Sequence, residues 1–442
     1  MSSKSPAPAG GPTAMVPPAS VPLGFLLAGA VGLVAFGACL AFGATLAVRS
    51  PRSPDVLAVT HLGVLAFLTT AVLGALHQFA PVVGVRALRS IPVARITVVT
   101  LVIAVWALPI GFAYFPTTLV VVGGLVGAVA VCLAAWNLSG PLSSREGGIP
   151  VVGLRLSVLY LLVTVTFGVV YVLDRHYGWF PLIEHRVLAH AHVGLFGWLG
   201  LTYISVAEKL WPMFLLAHRP KARSGAWAVG LVAAGTAVLG TGLLFAWPVV
   251  TGAGGAVVAA GIGAHLTSLA GAVKHRRRPL ELLHVFLFVS AAFVVVALVL
   301  GAVGGLAPVS TTVRMHLVSA EIAALIAWLG LAVIGHCHKI VPFITFNRLR
   351  ERGIQTNRSG GPLLFGDLFD HTVAVATLVI GATRFALVVA GLAAGFAAAV
   401  AAGGAAVGIA GLAVTLNLGL GPRRVLPKAA HQDPEPELAR TT

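Results

Sequence analysis

Long apolar stretches separated by short polar breaks run through almost the whole chain. Each approaches the roughly 20 residues that an α-helix needs to cross a bilayer. Read in order, they predict spans 1 to 12 at residues 21–48, 56–80, 94–115, 117–137, 150–173, 187–215, 226–248, 252–272, 280–303, 313–345, 370–390 and 401–418. The expected fold class is all-α, a polytopic membrane helical bundle of about 12 transmembrane helices. Three spans share a further pattern: HLGVLAFLTTAVLGALHQFAP ends at Pro81, HVGLFGWLGLTYISVAEKLWP at Pro212 and IAALIAWLGLAVIGHCHKIVP at Pro342. Pro81 to Pro212 is 131 residues and Pro212 to Pro342 is 130. That interval is too long for a solenoid unit and suits several helices, so it predicts three pseudo-repeats of four, with spans 2, 6 and 10 each ended by a proline.

Composition agrees with lipid as the solvent: 58% of residues are hydrophobic and 10% charged, and the mean hydropathy is +0.97. A net charge of +16 would suit nucleic acid, but its placement argues instead for membrane topology. Arg86, Arg89 and Arg95 follow span 2, and Arg145 follows span 4. Arg219, Lys221 and Arg223 follow span 6, Lys274 and Arg276 to Arg278 follow span 8, Arg348, Arg350 and Arg352 follow span 10, and Arg423, Arg424 and Lys428 follow span 12. These loops and both termini are therefore expected in the cytoplasm, with no nucleic-acid partner. Arg52 and the segment DRHYGWFPLIEHR break the alternation. Residues 1–20 read as a flexible tail without a secretory signal, 21–420 as the bundle and 421–442 as a polar tail. Cys39, Cys132 and Cys337 fall in or beside different spans with no CxxC or CxxCH, so neither a disulfide scaffold nor a covalent c-type heme is encoded.

Ionisable groups inside a membrane span are costly and tend to face the bundle interior, which makes them the first candidates for chemistry. His61 and His192 each lie 20 residues before their proline, and so at one depth. In the third copy that position is Ile322, and His316 lies six residues earlier, about 9 Å higher. His190 and His192 differ by about 200° in direction, so only one of them can face a shared interior site. A second layer comprises His77, Glu208 and His338, each four residues before its proline. As a ring, two imidazoles and a carboxylate would suit Zn, Fe or Mn. His61 and His77 are 16 residues apart, or about 160° on a straight helix, so both layers face one axis only if the helix bends. Glu321 reads either as a proton-handling carboxylate or as one partner of an interior pair. Every such histidine also has a plainer reading, hydrogen bonding between helices. Lys209, His336 and Lys339 read as snorkelling or pairing at the interface. His218, His275 and His431 read as solvated, and His265, His284 and His371 carry no assigned role.

Twelve spans in groups of four, with histidines at the outer starts of spans 2, 6 and 10, resemble subunit I of the heme-copper oxidase superfamily. The fragments HLGVLAFLTTAVLGALHQFAPVV and HAHVGLFGWLGLTYISVAEKLWPMF resemble its C-type branch and the shorter NnrS-like heme- and copper-containing membrane proteins implicated in nitric oxide handling. The resemblance covers roughly residues 55 to 345. It implies heme b held between His61 and His316, and copper at His192 or His190. Span 7, GAWAVGLVAAGTAVLGTGLLFAWP, has none of the family's copper-ligating histidines. The resemblance therefore implies a heme b protein, with or without copper, in electron transfer or nitric oxide handling rather than proton-pumping oxygen reduction. It further implies a bacterial inner membrane location and, as partners, the lipid bilayer, a redox protein or quinone, and a small gaseous ligand. The rival readings are a secondary transporter and a metal or heme assembly factor.

Overall fold

The computed structural model describes residues 16–114, 117–217 and 223–425. Most of both tails lies outside these residues, as do His218, Arg219, Lys221, Lys428 and His431. Among the described residues, twelve helices are long and apolar enough to cross a membrane. Spans 1 to 4 are Ser20–Phe42, Pro54–Gly84, Ile91–Tyr114 and Thr117–Leu142. Spans 5 to 8 are Gly148–Tyr177, Glu184–Leu215, Ser224–Leu244 and Pro248–Lys274. Spans 9 to 12 are Leu282–Leu306, Thr311–Glu351, His371–Ala394 and Ala397–Gly419. No strand forms among the described residues beyond an isolated bridge between Thr356 and Pro362. The protein is thus an all-α polytopic bundle.

Consecutive spans 3 and 4, 7 and 8, 9 and 10, and 11 and 12 pack as hairpins, and span 1 packs on span 12. Small residues set that last crossing. A Cβ added at Gly37 would lie 2.3 Å from the Gly408 backbone nitrogen, so the two backbones approach as only glycine allows. Spans 6 and 10 are the most enclosed, with 72% and 67% of their apolar windows buried, against 22% for span 5. The outward stripes on spans 3 and 4 are apolar: Ile96, Val99 and Ile103 on one, Val122, Leu125 and Val129 on the other. This is the pattern expected where lipid is the neighbour. At the start of span 11, the Asp370 carboxylate accepts from the Val373 N–H at 3.1 Å and from Arg424 at 3.4 Å.

Proline does not end the three helices as the pattern suggested. Pro81, Pro212 and Pro342 all lie inside their helices, and the backbone continues past them to Gly84, Leu215 and Glu351. Spans 2 and 6 stop instead on a left-handed residue, Val85 with φ 52° and Leu216 with φ 46°. That conformation lets the last amides turn back on the helix carbonyls. Both spans also carry a π-helical stretch beginning directly after the candidate histidine, Leu62–Thr69 after His61 and Val193–Gly200 after His192. Span 10 is an uninterrupted α-helix of 41 residues. The matched register of spans 2 and 6 therefore extends to the backbone, and span 10 does not share it.

Candidate functional site

On the side of the bundle where span 2 begins, here the His61 face, the imidazoles of spans 2 and 6 meet. The His61 and His190 ring centroids are 6.5 Å apart, with planes inclined by 26°. The His61 Nδ1 lies 2.7 Å from the Leu57 carbonyl, which can only accept, so Nδ1 carries the hydrogen and Nε2 is the free lone pair. Phe112 of span 3 stands 5.3 Å from the His61 ring, and Tyr171 of span 5 meets His190 edge-on at 5.9 Å. The Tyr171 hydroxyl donates to the Arg186 carbonyl at 2.8 Å, which fixes that ring. Arg175 lies over Phe112 at 5.7 Å and brings a cation to the same end of the site.

His192, two residues beyond His190, turns the other way, as the helical angle requires. It pairs with Glu321 of span 10, Nε2 to Oε1, at 3.2 Å. His316 is not brought to His61. It packs instead at the turn between spans 11 and 12, where a Cβ on Gly395 would lie 2.7 Å from its Cε1. The six-residue offset in span 10 has this physical consequence: His316 sits too near the helix end to meet span 2, and Glu321 occupies the inward position.

The second layer disperses. His77 stacks on Phe25 of span 1 at 5.0 Å. Glu208 accepts from Ser268 at 2.8 Å and lies 3.6 Å from His265, both on span 8. His338 packs between Phe286 of span 9 and Phe369. Among the described residues, no group of three or more His, Cys, Asp or Glu is placed to hold a metal ion. The expected ring is therefore replaced by three separate contacts, because each side chain faces the helix next to its own span rather than a common axis. Lys339 pairs with Glu281 at 2.5 Å.

The π stretches explain part of this arrangement. A π stretch holds one residue more than the α turn it replaces, so everything beyond it is rotated by about 100°. His61 and His77 thus differ by about 60° rather than the 160° of a straight helix. Thr70 caps the widened turn by donating to the Leu65 carbonyl at 2.8 Å.

Several residues near these sites escaped the sequence reading. Tyr171 and Arg175 approach the His61 face from span 5, and their only sequence signal was the basic segment after Tyr171 that broke the charge alternation. His265, His284 and His336 are drawn between spans 6, 8, 9 and 10, with His265 and His336 edge-on to Tyr203 at 5.5 and 6.3 Å and His284 edge-on to Trp211 at 5.4 Å. No spacing marks out His265 or His284, and His336, expected to snorkel or pair at the interface, packs edge-on to Tyr203.

The residues at hand fit an imidazole-bound iron or copper ion at His61 and His190. Two imidazoles sharing an ion at bonds of about 2 Å would have ring centroids roughly 6 Å apart, close to the 6.5 Å between His61 and His190. His61 has the usual support for such a ligand, its other ring nitrogen anchored to a backbone carbonyl. A three-histidine copper centre does not fit, since among the described residues no three such side chains are placed together. Neither a known family model nor a curated protein matches the chain.

Proposed function

We propose that this protein is a heme b-binding integral membrane protein working in electron transfer or nitric oxide handling, with the heme iron held by His61 and His190. The observation that carries the reading is the pair of imidazoles with ring centroids 6.5 Å apart between two spans, walled by Phe112 and Tyr171. When bound, heme would supply a one-electron centre and, with one imidazole displaced, a position for a small gaseous ligand. The chain's own part is to present Nε2 of His61 by tying Nδ1 to Leu57, to exclude water with the aromatic wall, and to offer Arg175 to the carboxylates of the porphyrin. Copper at His190 or His192 is the alternative ion. The apolar helices support residence in a bilayer; the basic loops support an orientation with both termini in the cytoplasm, and the family resemblance supports a bacterial cytoplasmic membrane. A redox protein or a membrane quinone would complete the circuit.

Purified protein from heme- and copper-supplemented cells should show a Soret band and a reduced-minus-oxidised α band. His61→Ala and His190→Ala should each abolish most of the Soret absorbance, and His316→Ala should leave it. Absence of heme and copper from folded protein would overturn the proposal. That outcome would favour a secondary transporter, a reading supported by the buried carboxylates Glu208 and Glu321 in spans 6 and 10.

A further inference from the structure

The segment that leaves span 10 carries exposed apolar side chains and exposed arginines on one folded unit. Lys339 of span 10 pairs at 2.5 Å with Glu281, the residue that caps span 9. Phe369, just before the Asp370 cap of span 11, packs 5.6 Å from His338. Spans 9 and 11 therefore begin level with residues 338–339 of span 10. Phe343 stands only four residues further on, about 6 Å along the helix, where hydrocarbon gives way to headgroups. Phe365 of the loop stacks on Phe343 at 6.3 Å and meets Phe346 at 4.4 Å. Phe343, Leu364 and Phe365 nevertheless keep 45%, 59% and 42% of their surfaces exposed. The loop itself is well packed. The Leu363 N–H donates to the Gln355 carbonyl at 2.9 Å, the Asn357 Oδ1 accepts from the Gly361 N–H at 3.1 Å, and Leu363 and Leu368 are buried with Leu349 and Val425.

Charge is sorted across the same unit. Between Phe343 and Asp370 there are four arginines and three carboxylates, and two of the carboxylates are taken up by neighbouring groups. The Asp367 Oδ2 accepts from the Leu364 N–H at 2.9 Å and from the Asn357 amide at 3.3 Å, and Asp370 accepts from Arg424 and the Val373 N–H. Arg348, Arg350, Arg352 and Arg358 are all exposed. Arg358 donates to the Arg423 carbonyl, which brings a fifth exposed arginine alongside. Arg350 lies over the Phe346 ring at 5.7 Å, so cation and apolar surface adjoin. An exposed apolar patch with a polar rim marks an interaction surface, arginines just beyond a span attract anionic headgroups, and guanidinium meets phosphate through paired N–H donors. A lipid without net charge would leave the cations unanswered, and a free anion would leave the apolar side chains in water.

We infer that the loop after span 10 seats an anionic phospholipid, with its phosphate against Arg350, Arg352 and Arg423 and its acyl chains against Phe343, Leu364 and Phe365. This site stands apart from the heme reading and does not depend on it. The test is native mass spectrometry of the full chain in detergent, offered equal amounts of dioleoylphosphatidylglycerol and dioleoylphosphatidylcholine. The anionic lipid should be retained in preference by about fivefold or more, the effect of a single arginine at an anionic surface. Arg350→Gln, Arg352→Gln and Arg423→Gln combined should abolish the preference. Leu364→Ser with Phe365→Ser should weaken retention of both lipids and leave their ratio unchanged. Equal retention by the wild type, or a preference that survives the three glutamines, overturns the inference. So does water-soluble glycerophosphoglycerol binding as tightly as the lipid, which would make the site one for a free anion. A dimer that the two serines dissociate, with lipid retention unchanged, would give the face to a second copy and equally overturn it. Should the variants fail to fold, amide hydrogen exchange of the wild-type chain in nanodiscs decides the matter. Slower exchange over residues 353–368 when phosphatidylglycerol replaces phosphatidylcholine supports the site, and identical exchange in the two lipids overturns it.

Discussion

The Trp198 indole N–H donates to the Thr69 hydroxyl at 3.2 Å, joining the π-helical stretch of span 6 to the last residue of its counterpart in span 2. Both residues are buried, so this bond fixes how the two widened helices sit against each other. Thr69→Val and Trp198→Phe should each cost about 1 kcal/mol. The coupling in a double-mutant cycle should be about 0.6 kcal/mol, the average for hydrogen bonds between membrane helices. Unfolding titrations in mixed micelles measure both, and additive losses would mean that the two groups do not interact.

His77 is buried on Phe25, its Nδ1 held by the Leu73 carbonyl at 2.7 Å and its Nε2 without a partner. His77→Phe keeps the ring and removes the unsatisfied acceptor. Stability should hold or rise by about 1 kcal/mol, and the Soret absorbance expected of the proposed heme should be unchanged. Loss of absorbance in this variant would move the ligand from the His61 face to the other layer.

Glycine positions should separate by what surrounds them. Gly37→Ala drives a Cβ into the backbone of span 12 and should destabilise by about 1–3 kcal/mol. Gly230→Ala, with nothing within 4 Å of the new atom, should be neutral or stabilising by up to about 1 kcal/mol. Melting temperatures of the two variants in one detergent provide the comparison.

At the start of span 11, the Val373 N–H and then Arg424 hold the Asp370 carboxyl below the usual carboxylate range. A depressed folded-state value means that the stabilisation is fully present above about pH 4 and is lost as the pH falls through the lower value. Asp370→Ala should therefore lower the melting temperature at neutral pH. The difference from the wild type should shrink in acid, and a constant difference would assign the effect to packing.

Span number and position were readable because twenty-residue apolar runs leave few alternatives in lipid; the twelve expected ranges fall on the twelve helices to within several residues. Spacing also showed that His190 and His192 must part company, and they do. Two things were hidden. A π stretch leaves no composition signal, so the angle between His61 and His77 could not be computed from residue count alone. Proline suggests a terminator, whereas inside a membrane bundle neighbouring groups accommodate the bond it removes, and the chain turns off later, at Val85 and Leu216. The partners of Glu208 on span 8 depend on which neighbour lies beside span 6, a tertiary fact that no local pattern encodes.

The surplus residue in each of spans 2 and 6 makes helix length and side-chain direction separately adjustable. Removing a single amino acid between Leu62 and Thr69 would shorten span 2 by only about 1.5 Å. It would nevertheless turn Leu73, His77 and Pro81 onto different neighbours while their identities stayed the same. A lineage can therefore redirect half of such a helix through one insertion or deletion, a change that a comparison of residue types alone would pass over.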